Sequence, residues 1–296
     1  VGRKPTEDKT KGIIMANCKY DRSPEEVQLM YNTVGQMNNC EGLFCAWQTD
    51  MEAVQRALPA PLMAFMPVVE MYSVNVYNPN FSSPYREAAL IIPCLYNGQI
   101  GLYPISFMLT GTDNAVFTGR DQLGMPKKHA DSLNLWRHGD HVHTDITRLG
   151  EKIFDLDMQI GDYNNEMVEQ LFGEMDEMPN VVDGLDYFFK FDVGQDPQAK
   201  IIVDNVRLLS YHGNMSYRIW EKARMTKCEL GESDSDPWAM FPVVEMMGGS
   251  WTTLDIGLLG TLKEDPVEAD DALIGKLLSG KYDSPQFGYP TRMLEI

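Results

Sequence analysis

Residues 85–109 read YREAALIIPCLYNGQIGLYPISFML. Two runs of apolar, β-branched and aromatic residues flank Asn97-Gly98. Asn-Gly suits a two-residue hairpin turn, because both central residues of that turn take positive φ. A lone hairpin is marginal in water, so runs this apolar must be built into a larger sheet. More strand signals surround them. PVVEMYSVNVY comes just before, and SLNLWRH and HVHTDITRL flank a second predicted turn at Gly139-Asp140. KIFDLDMQI then alternates, with Phe154, Leu156, Met158 and Ile160 on one face and Asp155, Asp157 and Gln159 on the other. LDYFFKF, KIIVDNVRLL and SWTTLDIGLLGTL add later strands.

Helices belong to the periphery. In SPEEVQLMYNTV, Ser23 caps, Pro24 takes the first helical position and Glu26 completes a capping box. TDMEAVQRAL is a second short helix that stops before Pro59, and NNEMVEQLFGEMDEMPN reads as a short helix plus a loop. DPVEADDALIGKLL reads as a helix capped by Asp265, with Pro266 next and Glu268 at the box position. The strands do not alternate with helices as βαβ units would. The predicted class is therefore mainly β with peripheral helices (α+β), an antiparallel β-barrel or curved sheet. A polar N-terminal arm over 1–22 precedes a single domain over 23–296.

The net charge of -18 argues against nucleic acid or an anionic membrane as partner, since both need a positive footprint. It also means that an anionic substrate needs a local cation. No run of ~18 apolar residues is present to span a membrane, and no signal peptide is visible. Five cysteines, Cys18, Cys40, Cys45, Cys94 and Cys228, form no CxxC pair. They read as reduced thiols in a cytoplasmic setting.

Against this acidic background GRDQLGMPKK, residues 119–128, stands out. A lysine pair in a loop is ordinarily a solvated surface feature. Here it ends a segment punctuated by glycine and proline, between apolar strands. A lysine that becomes a neutral amine can attack a carbonyl and form an imine, which then acts as an electron sink for a carbanion. A free lysine is protonated at neutral pH, and burial or a nearby cation lowers its pKa. Glu87 is a second candidate. It shares a strand face with Tyr85, Ala89 and Ile91 in a run apolar on both faces, where a carboxylate must be paired or protonated. It serves either as a proton carrier or as a partner for Arg120.

GRDQLGMPKK resembles the signature of the acetoacetate decarboxylase family, Gly-Arg-Glu followed after a short spacer by Pro-Lys-Lys. WQTDMEAVQRALPAPL is similar to that family's aromatic, Arg-Thr-Asp, short helix and Pro-x-Pro-Leu segment. YREAALIIPCLYNGQIGLYP is similar to its Tyr-x-Glu strand, Asn-Gly hairpin and Gly-x-Tyr. The resemblance is strong from Phe44 to Gly150 and looser beyond. It implies an antiparallel β-barrel, a small-molecule oxo-acid substrate, no cofactor, no metal and a homo-oligomer. It implies that Lys127 forms the Schiff base, that Lys128 tunes it, and that Glu87 is the acid/base. After a proline the chain is extended, and adjacent side chains then point to opposite sides. Lys128 is therefore expected to point away from Lys127, leaving burial as the larger influence on Lys127.

The pattern is not complete. An arginine of the family falls at Cys40, the arginine of Arg-Thr-Asp is Gln48, and a second site glutamate falls at Tyr72, with Glu70 two residues away on the same face. Cys40, Gln48, Glu70 and Tyr72 are thus the candidate substrate contacts. Loss of the arginines disfavours a small β-keto carboxylate such as acetoacetate. Arg120 and Asp121 read as a structural fork holding strands in register. The implied activity is a carbon-carbon lyase that decarboxylates a β-keto acid through a lysine imine. Two alternatives stay open: imine-based aldol, dehydration or cyclisation chemistry on a larger oxo acid, and a barrel that binds a small molecule without turnover. His138, His141 and His143 cluster at the second hairpin. His141 and His143 share a face, but no carboxylate lies at clear ligand spacing in the sequence.

Overall fold

In the computed structural model the described residues are 22–173, 175 and 177–283. The chain divides into two compact units, Val1–Thr33 and Val34–Ile296. The first carries helix α1 (Pro24–Tyr31) with the expected reciprocal cap. The Glu26 amide donates to Ser23 Oγ at 3.2 Å and the Ser23 amide to Glu26 Oε2 at 2.8 Å. Apart from Arg22, the polar arm lies outside the described residues.

The second unit runs β1 (Gly35–Gln48), α2 (Met51–Ala57), β2 (Met63–Ala64), β3 (Val68–Pro79), β4 (Tyr85–Tyr96) and β5 (Gln99–Thr110). It continues with α3 (Asp113–Leu123), β6 (Lys127–His129), β7 (Ser132–His138), β8 (His141–Arg148), β9 (Glu151–Ile160) and α4 (Val168–Phe172). It ends with β10 (Asn180–Gln195), β11 (Ile201–Leu230), β12 (Glu245–Pro266) and α5 (Asp271–Lys281). The strands form one sheet in the order β10-β5-β4-β3-β1-β12-β11-β9-β8-β7, with β2 on β4 and β6 on β5. β10 also pairs along β11, and its parallel pairing with β5 is the short one at Asp186 and Leu102. The sheet is thus strongly curved rather than a clean barrel. Register shifts in β11 at Ser210/Tyr211, His212/Gly213 and Tyr217/Ile219 let so long a strand bend, because each bulge adds local twist.

Both predicted hairpins form, at Asn97-Gly98 and Gly139-Asp140. Asn97 and Gly98 both have positive φ, 50° and 78°. Two expectations are corrected. The segment after β5 is not part of an antiparallel meander. Thr112 caps α3, accepting from the Asn114 amide at 3.2 Å, and the helix returns the chain so that β6 lies parallel to β5. Parallel neighbours need such a crossover. The last helix begins after Asp270, not Asp265. Residues up to Pro266 remain in β12, paired with Arg207 and Leu208 of β11, and Asp265 accepts from Tyr96 Oη at 3.0 Å. Sheet pairing overrides the local capping signal there. Asp270 supplies the cap instead, accepting from the Leu273 amide at 2.8 Å.

Strand alternation gives the sheet two apolar layers. One contains Leu43, Trp47, Met71, Leu90, Ile92, Met108 and Phe154. The other contains Cys40, Phe44, Val74, Tyr85, Ala89, Ile91, Phe107 and Phe188, with Tyr72 packed against it. The candidate site belongs to the second layer.

Candidate functional site

β3, β4 and β6 bring the site together. On β4, residues Tyr85, Glu87, Ala89 and Ile91 face the second layer while Ala88, Leu90 and Ile92 face the first. On β3, Tyr72 sits opposite Ala89 and Val74 opposite Glu87, so Tyr72 reaches Glu87 on the diagonal. Its hydroxyl donates to Glu87 Oε1 at 2.6 Å. The other carboxylate oxygen, Oε2, accepts from Lys127 Nζ at 2.7 Å. Lys127 lies beside Phe107 in the parallel pairing, with Nζ 5.2 Å from that ring's centroid. Glu87 is 1 % exposed and Lys127 5 %. Glu87 therefore pairs with Lys127, not with Arg120.

The punctuation of GRDQLGMPKK is explained by contact. Gly119, on α3, lies against the stem of Lys127; a Cβ there would stand 2.7 Å from Lys127 Cε. Gly124 ends α3 in the left-handed conformation at φ 79°, and its Cβ would meet the Phe189 carbonyl oxygen at 2.3 Å. Pro126 then leads into β6, where extended backbone sends Lys128 to the opposite side. Lys128 Nζ donates to the Ser235 carbonyl at 3.0 Å and to Asp236 Oδ1 at 3.1 Å. Arg148 binds the other oxygen of Asp236. Lys128 thus braces the loop before the Trp238 turn.

Arg120 and Asp121 do not hold strands in register, because they lie on α3. The Arg120 guanidinium stands 4.8 Å from the Tyr282 ring centroid, with a long 3.5 Å contact to the Lys127 carbonyl, and Asp121 is exposed.

The other candidates divide. Cys40 is buried in the site layer, where its thiol donates to the Met37 carbonyl at 3.3 Å. Burial, and then the charge of Glu87, push that thiol up to about 12, so it is a neutral wall in place of a cation. Gln48 is opposite Val68, four residues along β3 from Tyr72, or ~13 Å away, and does not join the Lys127 group. Glu70 faces the same way as Tyr72 and is half-buried. Burial, and then Asp186, push its carboxyl up to about 8.

Two residues escaped the sequence reading. Asp186 on β10 follows the same alternation as Phe188 of the site layer, and burial pushes it up to about 7. A lone carboxylate in the apolar run LDYFFKF is the signal that marked Glu87, and it would have found Asp186 too. The Tyr85 hydroxyl is buried in the same layer with no hydrogen-bond partner among the described residues. Among these residues no arginine is hydrogen bonded to Glu87 or Tyr72. The layer offers one amine, one paired carboxylate, two carboxyls that burial raises into the neutral range, and two phenols. This equipment can form an imine and move protons.

The histidine hairpin acquires carboxylates from its neighbour. Register places His143 opposite Asp157 of β9, and His143, Asp155 and Asp157 lie close enough to share an ion. His141 Nε2 and His143 Nδ1 both lie 2.9 Å from Asp157 Oδ1, and Asp155 Oδ2 is held by Lys152 and Lys227 at 2.9 and 3.0 Å. Those lysines pair one oxygen of Asp155, while its buried Oδ1 has no hydrogen-bond partner among the described residues.

The family model for acetoacetate decarboxylase (ADC) matches residues 22–266, and the chain belongs to that family. A CLA biosynthesis isomerase of Lactiplantibacillus plantarum is 29% identical over 259 residues, covering 86% of this chain and 92% of the relative. An acetoacetate decarboxylase of Burkholderia cenocepacia is 30% identical over 102 residues, covering 34% of this chain and 41% of the relative. A solved structure described as acetoacetate decarboxylase superposes with a TM-score of 0.63 at 17% identity, covering 80% of this chain and 90% of that one. The fold is the same, and within the family the named relatives include both an isomerase and decarboxylases. Among the described residues no helix is long and apolar enough to cross a membrane.

Proposed function

We propose that this protein forms a lysine imine with an apolar oxo compound and isomerises it, moving a carbon-carbon double bond relative to the carbonyl. The observation that carries the reading is the Lys127–Glu87–Tyr72 chain, 2.7 and 2.6 Å, in an apolar layer, with no arginine among the described residues hydrogen bonded to Glu87 or Tyr72. Transfer of the shared proton to Glu87 frees the Lys127 amine to attack the carbonyl carbon. The carbinolamine loses water with Glu87 as acid, and the protonated imine then acidifies the neighbouring C–H. Glu87, again a carboxylate, takes that proton to give a dienamine. A carboxyl of Glu70 or Asp186 returns a proton at the far carbon, and Glu87 passes its proton back to that site's carboxylate, directly or through water. Addition of water then releases the isomer and the amine. Atoms and charge balance, and no external oxidant or reductant is consumed. The likeness to a relative named as an isomerase over 92% of that relative's length supports this outcome.

The second reading keeps the imine and releases CO2 from a β-keto acid. The family match and the decarboxylase relatives support it. The experiment is borohydride trapping with a β,γ-unsaturated ketone and with acetoacetate, with the modified lysine mapped by mass spectrometry. Appearance of the conjugated enone is followed by its ultraviolet absorbance. The isomerase reading expects adducts on Lys127 and enone formation without CO2. Release of CO2 with no enone would favour the decarboxylase. Absence of any adduct on Lys127, with ligand binding intact, would leave a binding protein.

A further inference from the structure

The side of the sheet to which Lys128 points holds a partly open cavity of about 190 Å³. This is larger than an engineered cavity of ~150 Å³ that takes up benzene. Tyr103, Phe189, Phe191, Trp238, Phe241 and Leu277 form much of its wall, and Lys127 does not line it. Two of the polar groups in that wall lack a partner among the described residues. Lys281, at the end of α5, is 7 % exposed and has no hydrogen bond or ion pair among the described residues; its Nζ stands 3.9 Å from the Phe191 ring centroid. Trp238 is 2 % exposed, and its indole Nε1 is buried without an acceptor. Buried donors without acceptors are rare and costly.

The cavity's own carboxylate does not supply the missing partner, because Asp236 is already held by Lys128 and Arg148. Arg56, Lys128 and Lys276 also line the cavity, so its local charge is opposite to that of the acidic chain. Burial pushes the Lys281 amine down to about 8; Arg120 and Lys190 push the same way and Asp121 opposes them. At neutral pH the amine is still mostly an ammonium, set over the Phe191 ring and without a counter-ion among the described residues.

We propose that this cavity binds an organic monocarboxylate with an apolar body, the carboxylate on Lys281 and the body against the aromatic wall. The Trp238 indole is a second available donor. The site is independent of the imine chemistry, since it lies on the other side of β6.

Titration calorimetry on the full chain tests it, with hexanoate and phenylacetate as probes and hexan-1-ol and 2-phenylethanol as uncharged counterparts of similar size. The carboxylates should bind at least ~10-fold more tightly than the alcohols, about 1.4 kcal/mol. Lys281→Met should remove that preference, Lys281→Arg should retain part of it, and Lys127→Ala should leave it unchanged. Equal binding of acid and alcohol by the wild type, or no binding of either, would overturn the proposal without recourse to any variant. Loss of carboxylate binding in Lys127→Ala would assign the carboxylate to the imine site and overturn it equally.

Discussion

Lys127 and Glu87 face each other at 2.7 Å with almost no solvent, so truncating one leaves the other's charge behind. Breaking a buried pair typically costs ~3–5 kcal/mol. Tyr72 still donates to Glu87 when the amine is gone, and a carboxyl can take up a proton, so the low end of that range applies. Lys127→Ala is expected to abolish borohydride trapping and turnover while lowering stability by about 3 kcal/mol. Lys127→Arg should abolish the chemistry too, because a guanidinium does not form the imine. Glu87→Gln keeps the shape but leaves a single acceptor oxygen for two donors, Lys127 and Tyr72, and should slow imine formation by ~10²–10⁴-fold. Trapping rates and urea denaturation measured on the same samples check both halves. Normal turnover by Lys127→Ala would remove the enzyme reading.

Glu70 adds a pH dependence whose sign is fixed by its shift. Its folded carboxyl is raised to about 8, against an ordinary value of 4.5. The folded state therefore holds a proton that the unfolded chain releases. The contribution to stability is fully present below pH ~4.5 and is lost as pH rises through about 8. Asp186, raised to about 7, acts in the same direction. Denaturation curves at pH 5 and pH 8.5 should show the wild type losing more stability over that interval than Glu70→Gln. Equal losses would mean that Glu70 titrates as an ordinary surface carboxylate. Glu87 was legible in the sequence because it interrupts an apolar strand, whereas Glu70 was legible only by its place two residues from Tyr72 in the family pattern. Cys40 and Gln48 were legible only as departures from a pattern. Gln48 was misplaced because an alignment gives position along the chain, not distance across a sheet.

At the level of elements, α3 and β6 position Lys127 against β3 and β4. Thr112 and Gly124 mark the ends of α3, and Gly119 within it admits the lysine stem. The helix was not read from GRDQLGMPKK because glycine and proline dominate that stretch and the cap lies seven residues before it. β1 went unread for a related reason. Its glycines and asparagines, in GQMNNCEGLFCAWQ, obscure a strand that is central in the sheet, paired with both β3 and β12. Gly42 there packs on the backbone of Ser73, where a Cβ would stand 2.0 Å from the carbonyl oxygen. Close approach, not flexibility, keeps that residue small. Two substitutions separate shape from stability at α3. Gly119→Ala meets only the side chains of Lys127 and Met125, so it should fold but displace the amine and reduce the trapping rate at least ~10-fold. Gly124→Ala meets the backbone of Phe189 and Lys190 at positive φ, so it should lower the melting temperature, with a cost of ~1–3 kcal/mol. Equal trapping rates for wild type and Gly119→Ala would show that the lysine stem has room to spare.

Across the whole molecule, the curved sheet separates two kinds of polar group by the face they occupy. The second layer holds Lys127 with the carboxyls of Glu87, Glu70 and Asp186 and the phenols of Tyr72 and Tyr85, and its cation is already paired. A substrate carboxylate placed there would meet a carboxylate at Glu87 and no arginine among the described residues hydrogen bonded to it. Burying an unpaired charge is strongly unfavourable. A small β-keto acid carries that charge next to the reacting carbon and has little apolar surface to offset it. A longer ketone without a nearby charge buries surface against Phe44, Phe107, Phe188 and Ile91 at ~25 cal/mol per Å². The expected order of kcat/KM is therefore an apolar β,γ-unsaturated ketone well above acetoacetate, by ~10²-fold or more, since one unpaired buried charge is worth at least ~3 kcal/mol. Steady-state assays at pH 7 with both substrates decide it, and Cys40→Arg sharpens the test. If the missing arginine sets the preference, that variant should bring the two substrates closer together. Efficient turnover of acetoacetate by the unaltered protein would show that another cation enters the layer when substrate is bound.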